Sequence, residues 1–342
     1  MKRVGVGIIG CGTIAKTSHI PSYLRTPECE LIALADQDLG TAKELAHEHA
    51  IERVYDDYRE LLECDEIDAV SVCTPPSTHS EIVIGACEAG KHILCEKPIA
   101  LSLEEADQMI NAAQRAGVIL AIGHQFRFLP NVQKAREMVD KKAIGEVLTC
   151  YGEFSSGGPF FGDWKTSSDY YLKIGSGAAV LFNYGTHIFD LFNFFFGKAE
   201  KVSAMVKRGQ VKTIAIENKA IAVVEYESGI LAAMNTFYTR SRHPDRVFVN
   251  LYGLEGKISV SLPRPTLTLY KTNTIISRLH GARKLVFRSK DPFLLEINDF
   301  IRSITSHKKP LVTDVDGRNA LELALAANRS YELQQTIDLP LN

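Results

Sequence analysis

Val4-Gly5-Val6-Gly7-Ile8-Ile9-Gly10-Cys11-Gly12-Thr13-Ile14-Ala15 is the stretch on which the fold turns. Its first six residues are a short apolar run of the kind that forms a strand buried on both faces. The run ends on G-x-G-x-x-A and opens into helical text. Gly10 allows the tight turn, Gly12 lets backbone approach a pyrophosphate, and Ala15 lets helix pack closely on strand. The free N–H groups around Thr13 and Ile14 and the helix dipole favour phosphate at the helix start. Asp36 stands at the end of the next strand-like run, 24 residues past Gly12. A carboxylate there accepts hydrogen bonds from ribose hydroxyls and repels a 2′-phosphate. The next residue is Gln37, not Arg, so NAD is expected in preference to NADP.

Outward from this turn the text keeps alternating. Strand-like runs at 68–74, 92–96 and 118–122 are separated by helices over 38–50, 78–89 and 102–116. Asp38 is an N-cap, and Ser102 with Glu105 forms a capping box. Buried strands alternating with amphipathic helices predict a parallel sheet with crossovers. After Gly123 the pattern changes. A helix at 130–142 and a strand at 146–155 precede a helix at 178–196 that is apolar nearly all round, and hence buried. Hairpins follow, 220–226 with 231–238 and 247–252 with 257–261, then less regular strands and two helices at 292–306 and 316–334. The expected fold class is α/β: a dinucleotide-binding Rossmann domain over 1–123, then an α+β domain over 124–342 with a large, open, mainly antiparallel sheet. The last helix is free to pack back on the first domain.

Composition supports two globular domains. The chain has 342 residues, 45% hydrophobic and 23% charged, which excludes disordered and fibrous classes. No stretch approaches the ~20 apolar residues that span a bilayer. Met1-Lys2-Arg3 before an apolar run mimics a signal peptide, but the run reads better as the first strand. Seven cysteines without a C-x-x-C suggest reduced thiols in a cytoplasmic protein and no metal site. Charge is uneven: up to Gly123 there are 10 basic and 20 acidic residues, and from Arg240 to Lys290 there are 11 basic and 2 acidic. The basic residues lie in strand-like text, not on a recognition helix, so no nucleic acid partner is expected. Arg240, Arg242 and Arg246 suit the rim of a pocket for an anionic substrate.

Two further segments end strands at the edge where open α/β sheets bind ligands. They are Cys73-Thr74-Pro75-Pro76-Ser77-Thr78-His79 and Cys95-Glu96-Lys97-Pro98. A lysine before proline is pushed towards extended backbone, and Lys97 at this edge is a candidate proton donor. These segments, with the glycine turn, His19 and Gly123-His124-Gln125-Phe126-Arg127-Phe128, resemble the Gfo/Idh/MocA oxidoreductase family over nearly the whole chain. The resemblance implies hydride exchange between nicotinamide and a carbinol of a sugar, polyol or derivative. It also implies a homodimer or homotetramer. Thr74, Pro75, His79, Glu96 and Lys97 then join the cofactor set of Gly10, Gly12, Thr13, Ile14, Ala15 and Asp36. Arg127, Trp164, Asn183 and His187 join Lys97 at the substrate.

The family's G-G-G…D-x-G-x-H-x-x-D helix corresponds to Gly175-Ser176-Gly177 through Asn183, His187 and Asp190. Asn183 stands where the family has Asp; it cannot take a proton at neutral pH but can exchange hydrogen bonds. That leaves His187 as the leading base, Lys97 as the alkoxide stabiliser and Asn183 as an orienting group. A core histidine satisfied by Asp190 is the alternative for His187. For the whole chain the alternatives are an NAD-dependent glycosidase of the same superfamily and a non-catalytic NAD-sensing regulator.

Overall fold

The computed structural model describes residues 3–157, 179–207, 217–238, 245–262, 265–271 and 282–341. Two compact units emerge: Met1–Gln125 with Lys290–Arg318, and Phe126–Ser289 with Asn319–Asn342.

The first unit is built on six strands: β1 (Val4–Ile9), β2 (Cys29–Ala35), β3 (Arg53–Tyr55), β4 (Ala69–Val72), β5 (His92–Glu96) and β6 (Leu120–Gly123). Their order is β3-β2-β1-β4-β5-β6 and every pair is parallel. β1 and β4 are buried along their whole length, as strands covered on both faces must be. The crossover helices start where the sequence supplies caps. Asp38 accepts from the backbone of Gly40 and Thr41 ahead of helix Leu39–His49. Ser102 and Glu105 complete the capping box of helix Leu103–Ala116. Strand order reverses between β1 and β4, which makes the crevice beyond their carboxyl ends the switch point where such sheets take ligands.

Residues 290–318 belong with this unit, although a division at 123/124 assigns them to the second. The reason is one helical face. In helix Pro292–Ser306, Ile297, Phe300 and Ile301 recur at helical spacing and are buried in the core with Val6, Ile8 and Tyr23. Arg318 then clamps Asp107, with Nε and Nη2 at 2.5 and 3.2 Å from the carboxylate.

The second unit holds β7 (Val147–Ser156), β8 (Ala199–Lys207), β9 (Lys219–Tyr226), β10 (Leu231–Tyr238), β11 (Arg246–Gly253), β12 (Gly256–Ser261), β13 (Thr266–Lys271), β14 (Arg283–Val286) and β15 (Ile337–Asp338). The sheet order is β14-β13-β12-β11-β7-β10-β9-β8-β15. All neighbours are antiparallel except β7 and β10, which run parallel with Leu231 opposite Thr149. Strict alternation sends Ala232, Met234, Thr236 and Tyr238 of β10 inward. Helix Thr186–Phe196 packs on that inner face. Gly152 of β7 makes the approach possible, since a Cβ there would meet Ile188 Cγ2 at 2.8 Å and Phe192 Cε1 at 2.9 Å. Among the described residues, no helix is long and apolar enough to cross a membrane.

Candidate active site

The glycine turn sits at the switch point. Gly10 has φ +94°, and a Cβ on it would lie 2.8 Å from the backbone of Cys73 and Thr74, so glycine is required twice over. Gly12 has nothing within 4 Å of its Cβ direction, which leaves the open cradle a pyrophosphate needs. Thr13 is exposed, Ile14 half-buried and Ala15 buried. The helix they open is π-type over Ala15–His19 and α over Ile20–Tyr23. Asp36 follows β2, and its carboxylate accepts the N–H of Cys11 at 2.6 Å and of Asp38 at 2.8 Å. It therefore ties the turn to the second strand and retains lone pairs for a ribose. The residues present fit a dinucleotide.

Beyond β4, Thr74 and Pro75 form a loop braced by His79. His79 Nε2 lies 2.9 Å from the Thr74 carbonyl oxygen, and Nδ1 lies 3.1 and 3.3 Å from those of Pro98 and Ile99. This buried ring thus joins the loop after β4 to the loop after β5, and burial holds its pKa below the usual range. At the end of β5 the Glu96 carboxylate is buried and accepts from His19 Nε2 at 2.9 Å and from the Lys97 N–H at 3.2 Å. Lys97 is half-buried. Desolvation pushes its ammonium down to about 8, against the opposing pull of Glu96. A lysine so tuned exchanges a proton near neutrality. The neighbouring thiols are inert: burial pushes Cys11 up to about 12, and Cys73 and Cys95 well above the ordinary range.

In the second unit the helix expected over 178–196 is not α throughout. It is π-type over Leu181–Gly185 and α over Thr186–Phe196. The wider turn falls between Asn183 and His187 and departs from ideal i, i+4 spacing; such bulges are frequent at functional sites. Asn183 Nδ2 donates to the Tyr238 hydroxyl at 2.9 Å. The buried His187 ring lies among aromatics, 4.8 Å from Phe126 and 5.6 Å from Phe154. Phe154 in turn stacks on Tyr184 at 3.9 Å, and Tyr184 meets Tyr238 edge-on. Asp190 is engaged by Arg127 on both oxygens, Nε to Oδ2 at 2.8 Å and Nη2 to Oδ1 at 2.7 Å. Arg127, expected at the substrate, is thus committed to a buried fork with Asp190 and lies over the Phe194 ring. Trp164, Arg240 and Arg242 lie outside the described residues. Arg246 is exposed, 4.0 Å from Glu153.

Tyr238 and the Phe126–Phe154–Tyr184 wall escape sequence reasoning. The available signal is the alternation of β10, which places Tyr238 on the inner face with Met234 and Thr236.

Strand order, glycine turn and edge residues define a nucleotide-binding α/β protein carrying a second, open-sheet unit. Residues 4–124 match the model of the oxidoreductase family with an NAD-binding Rossmann fold, and 132–259 match the GFO/IDH/MocA C-terminal domain. The chain belongs to the Gfo/Idh/MocA oxidoreductase family. It is 30% identical to the myo-inositol 2-dehydrogenase of Thermotoga maritima over 98% of each chain. It is 26% identical to the scyllo-inositol 2-dehydrogenase (NAD(+)) of Bacillus subtilis over 98% of this chain and 96% of that protein. Its fold matches levoglucosan dehydrogenase in complex with NADH at a TM-score of 0.90 and 21% identity, covering 99% of this chain and 100% of the other.

Proposed function

We propose that the protein is an NAD-dependent dehydrogenase oxidising a carbinol of a sugar, polyol or sugar derivative. The observation that carries this reading is the placement of Lys97 directly after β5, in the parallel sheet whose β1 ends on the glycine turn; desolvation, which pushes its ammonium down to about 8, supports it. The two inositol dehydrogenases among the relatives support the substrate class. Gly10, Gly12, Thr13, Ile14 and Ala15 hold the pyrophosphate, Asp36 the ribose, and the Thr74-Pro75 loop braced by His79 the nicotinamide side. When bound, NAD supplies the hydride acceptor. His187 accepts the substrate hydroxyl proton, the Lys97 ammonium stabilises the developing alkoxide, and Asn183 orients the hydroxyl. Seven free cysteines suit a cytoplasmic setting. The exposed Met205 and Ile221, paired across β8 and β9, suit a homodimer or homotetramer.

The test is NADH fluorescence across inositols, other polyols, sugars, sugar phosphates and nucleotide sugars. The anionic members are included because of the basic excess over 240–290. Turnover of added NAD with one class supports the reading. Retained NAD with no net reduction points to glycoside hydrolysis, and binding without turnover to a sensor.

NAD should bind at least about tenfold more tightly than NADP, which corresponds to ~1.4 kcal/mol, because the Asp36 carboxylate meets the extra phosphate. Calorimetric titration with both cofactors checks this, and equal affinities remove Asp36 from the assignment. Asn183→Asp should keep activity within about tenfold with an altered pH profile of kcat, as a titrating carboxyl replaces the amide that donates to Tyr238. A loss beyond about a hundredfold, the scale of a lost acid–base group, shows that the amide itself is needed.

A further inference from the structure

Behind Glu96 lies a buried polar chain with no part in the reaction as described so far. His19 comes from the π-helical turn, Ser71 from the middle of β4, and Tyr23 from the end of helix Ile20–Tyr23. His19 and Ser71 are fully buried, and Tyr23 is 1% exposed. Tyr23 Oη lies 2.7 Å from Ser71 Oγ, Ser71 Oγ 3.3 Å from His19 Nδ1, and His19 Nε2 2.9 Å from Glu96 Oε1. With a neutral imidazole every donor finds an acceptor in one direction: Tyr23 O–H to Ser71, Ser71 O–H to Nδ1, and Nε2–H to the carboxylate. Burial drives the Tyr23 phenol well above its ordinary pKa, so it keeps the proton it donates.

We propose that His19, braced by Ser71 and Tyr23, is a positioning residue for Lys97: it fixes and aims the Glu96 carboxylate, which accepts the Lys97 N–H and supplies the negative charge next to Lys97. This rests on the reading of Lys97 as catalytic. Two observations on electrostatics support the geometry. Burial alone would raise the Glu96 pKa, but the hydrogen bond from His19, with the charge and backbone N–H of Lys97, holds it below the ordinary carboxylate value. Glu96 is also the group that raises Lys97 against desolvation. The other titratable groups around the chain do not replace it. Cys73 and Cys95 are neutral thiols, and buried His79 is driven towards neutrality. Cys29 is pushed up to about 12. Buried Glu296 acts on Tyr23 and Cys73. Phe293 and Tyr23 flank the His19 ring at centroid distances of 5.9 and 6.5 Å. A phenylalanine at position 19 would keep that packing and lose both nitrogens, so packing and polarity can be separated.

The experiment reads Lys97 directly. The full-length protein is labelled competitively with acetic anhydride from pH 6 to 10, with and without NAD, and Lys97 is followed by peptide mass spectrometry. Only the neutral amine reacts. The unsubstituted protein should show a half-point near 8. His19→Phe should move it down by about one unit, making Lys97 about fivefold more reactive at pH 7. His19→Gln, which keeps one N–H for Glu96, should restore most of the shift. If His19→Phe does not fold, Ser71→Ala should move the half-point the same way by less. An unchanged half-point in the folded variant overturns the proposal. The two readings fail separately. Normal turnover by Lys97→Ala removes Lys97 from the reaction but leaves the His19 effect on its titration intact. An unmoved titration beside an inactive Lys97→Ala removes only the His19 role.

Discussion

Lys97→Ala should lower kcat by ~10²–10⁴, the range of a lost general acid–base or charge-stabilising group, while NAD affinity stays within about threefold. The separation follows from position. The pyrophosphate cradle is made by Gly10 to Ala15 after β1, whereas Lys97 follows β5, two strands away in the sheet order. The unsubstituted enzyme should also show a basic limb. Desolvation pushes the Lys97 ammonium down to about 8, so a step that needs the ammonium weakens as pH rises through about 8. His187, acting as base, must be neutral and gives the opposite, acidic limb; together they make a bell. His187→Ala should lose the acidic limb and a similar share of kcat. Stopped-flow and steady-state kinetics over pH 5 to 10 check both variants. Near-normal kcat in either removes that residue from the chemistry. Lys97→Arg should lose the basic limb, since guanidinium does not titrate in this range.

Much of the first unit was legible because its signals are local. The glycine turn, the Asp38 and Ser102 caps and the apolar run of β1 each act within a few residues, and each stands in the structure where its spacing put it. What escaped reading depends on distant partners. β3 is three half-buried residues whose only strand credential is pairing with Ala33–Ala35. β15 is two residues held by Lys201 and Val202. The parallel pairing of β7 with β10 puts Thr149 opposite Leu231, and alternation along either strand carries no sign of direction. The affinity of helix Pro292–Ser306 for the first unit lies in which core its Ile297 face meets, not in the face itself. The π turns at Ala15–His19 and Leu181–Gly185 have no composition of their own. The candidate site divides in the same way. Lys97 and Gly10 were readable from motif and strand end, while His19 acquires meaning only through Ser71 and Glu96, 52 and 77 residues further along the chain.

Arg127→Met should destabilise the second unit by ~3–5 kcal/mol, the usual cost of removing one partner of a buried ion pair. Position and partner both argue for this. The Arg127 and Asp190 side chains are 4% and 1% exposed, and the guanidinium meets the carboxylate as a two-point fork. Without Arg127, the Asp190 charge would sit uncompensated beside Phe189, Leu191 and Phe192, in a core that cannot solvate it. Asp190 would then protonate or drag the helix that carries His187 out of place. Arg127→Met with Asp190→Leu should recover most of the loss, because an apolar pair of similar volume removes the buried charge altogether. Urea unfolding of the single and double variants measures this. The alternative role of Arg127, as a substrate ligand, makes the opposite forecast: KM rises, kcat and stability barely change, and the double variant rescues nothing. A raised KM with an unchanged unfolding midpoint would return Arg127 to the substrate. A lowered midpoint restored by Asp190→Leu, with KM unchanged in the folded double variant, makes it the strut that fixes the His187 helix.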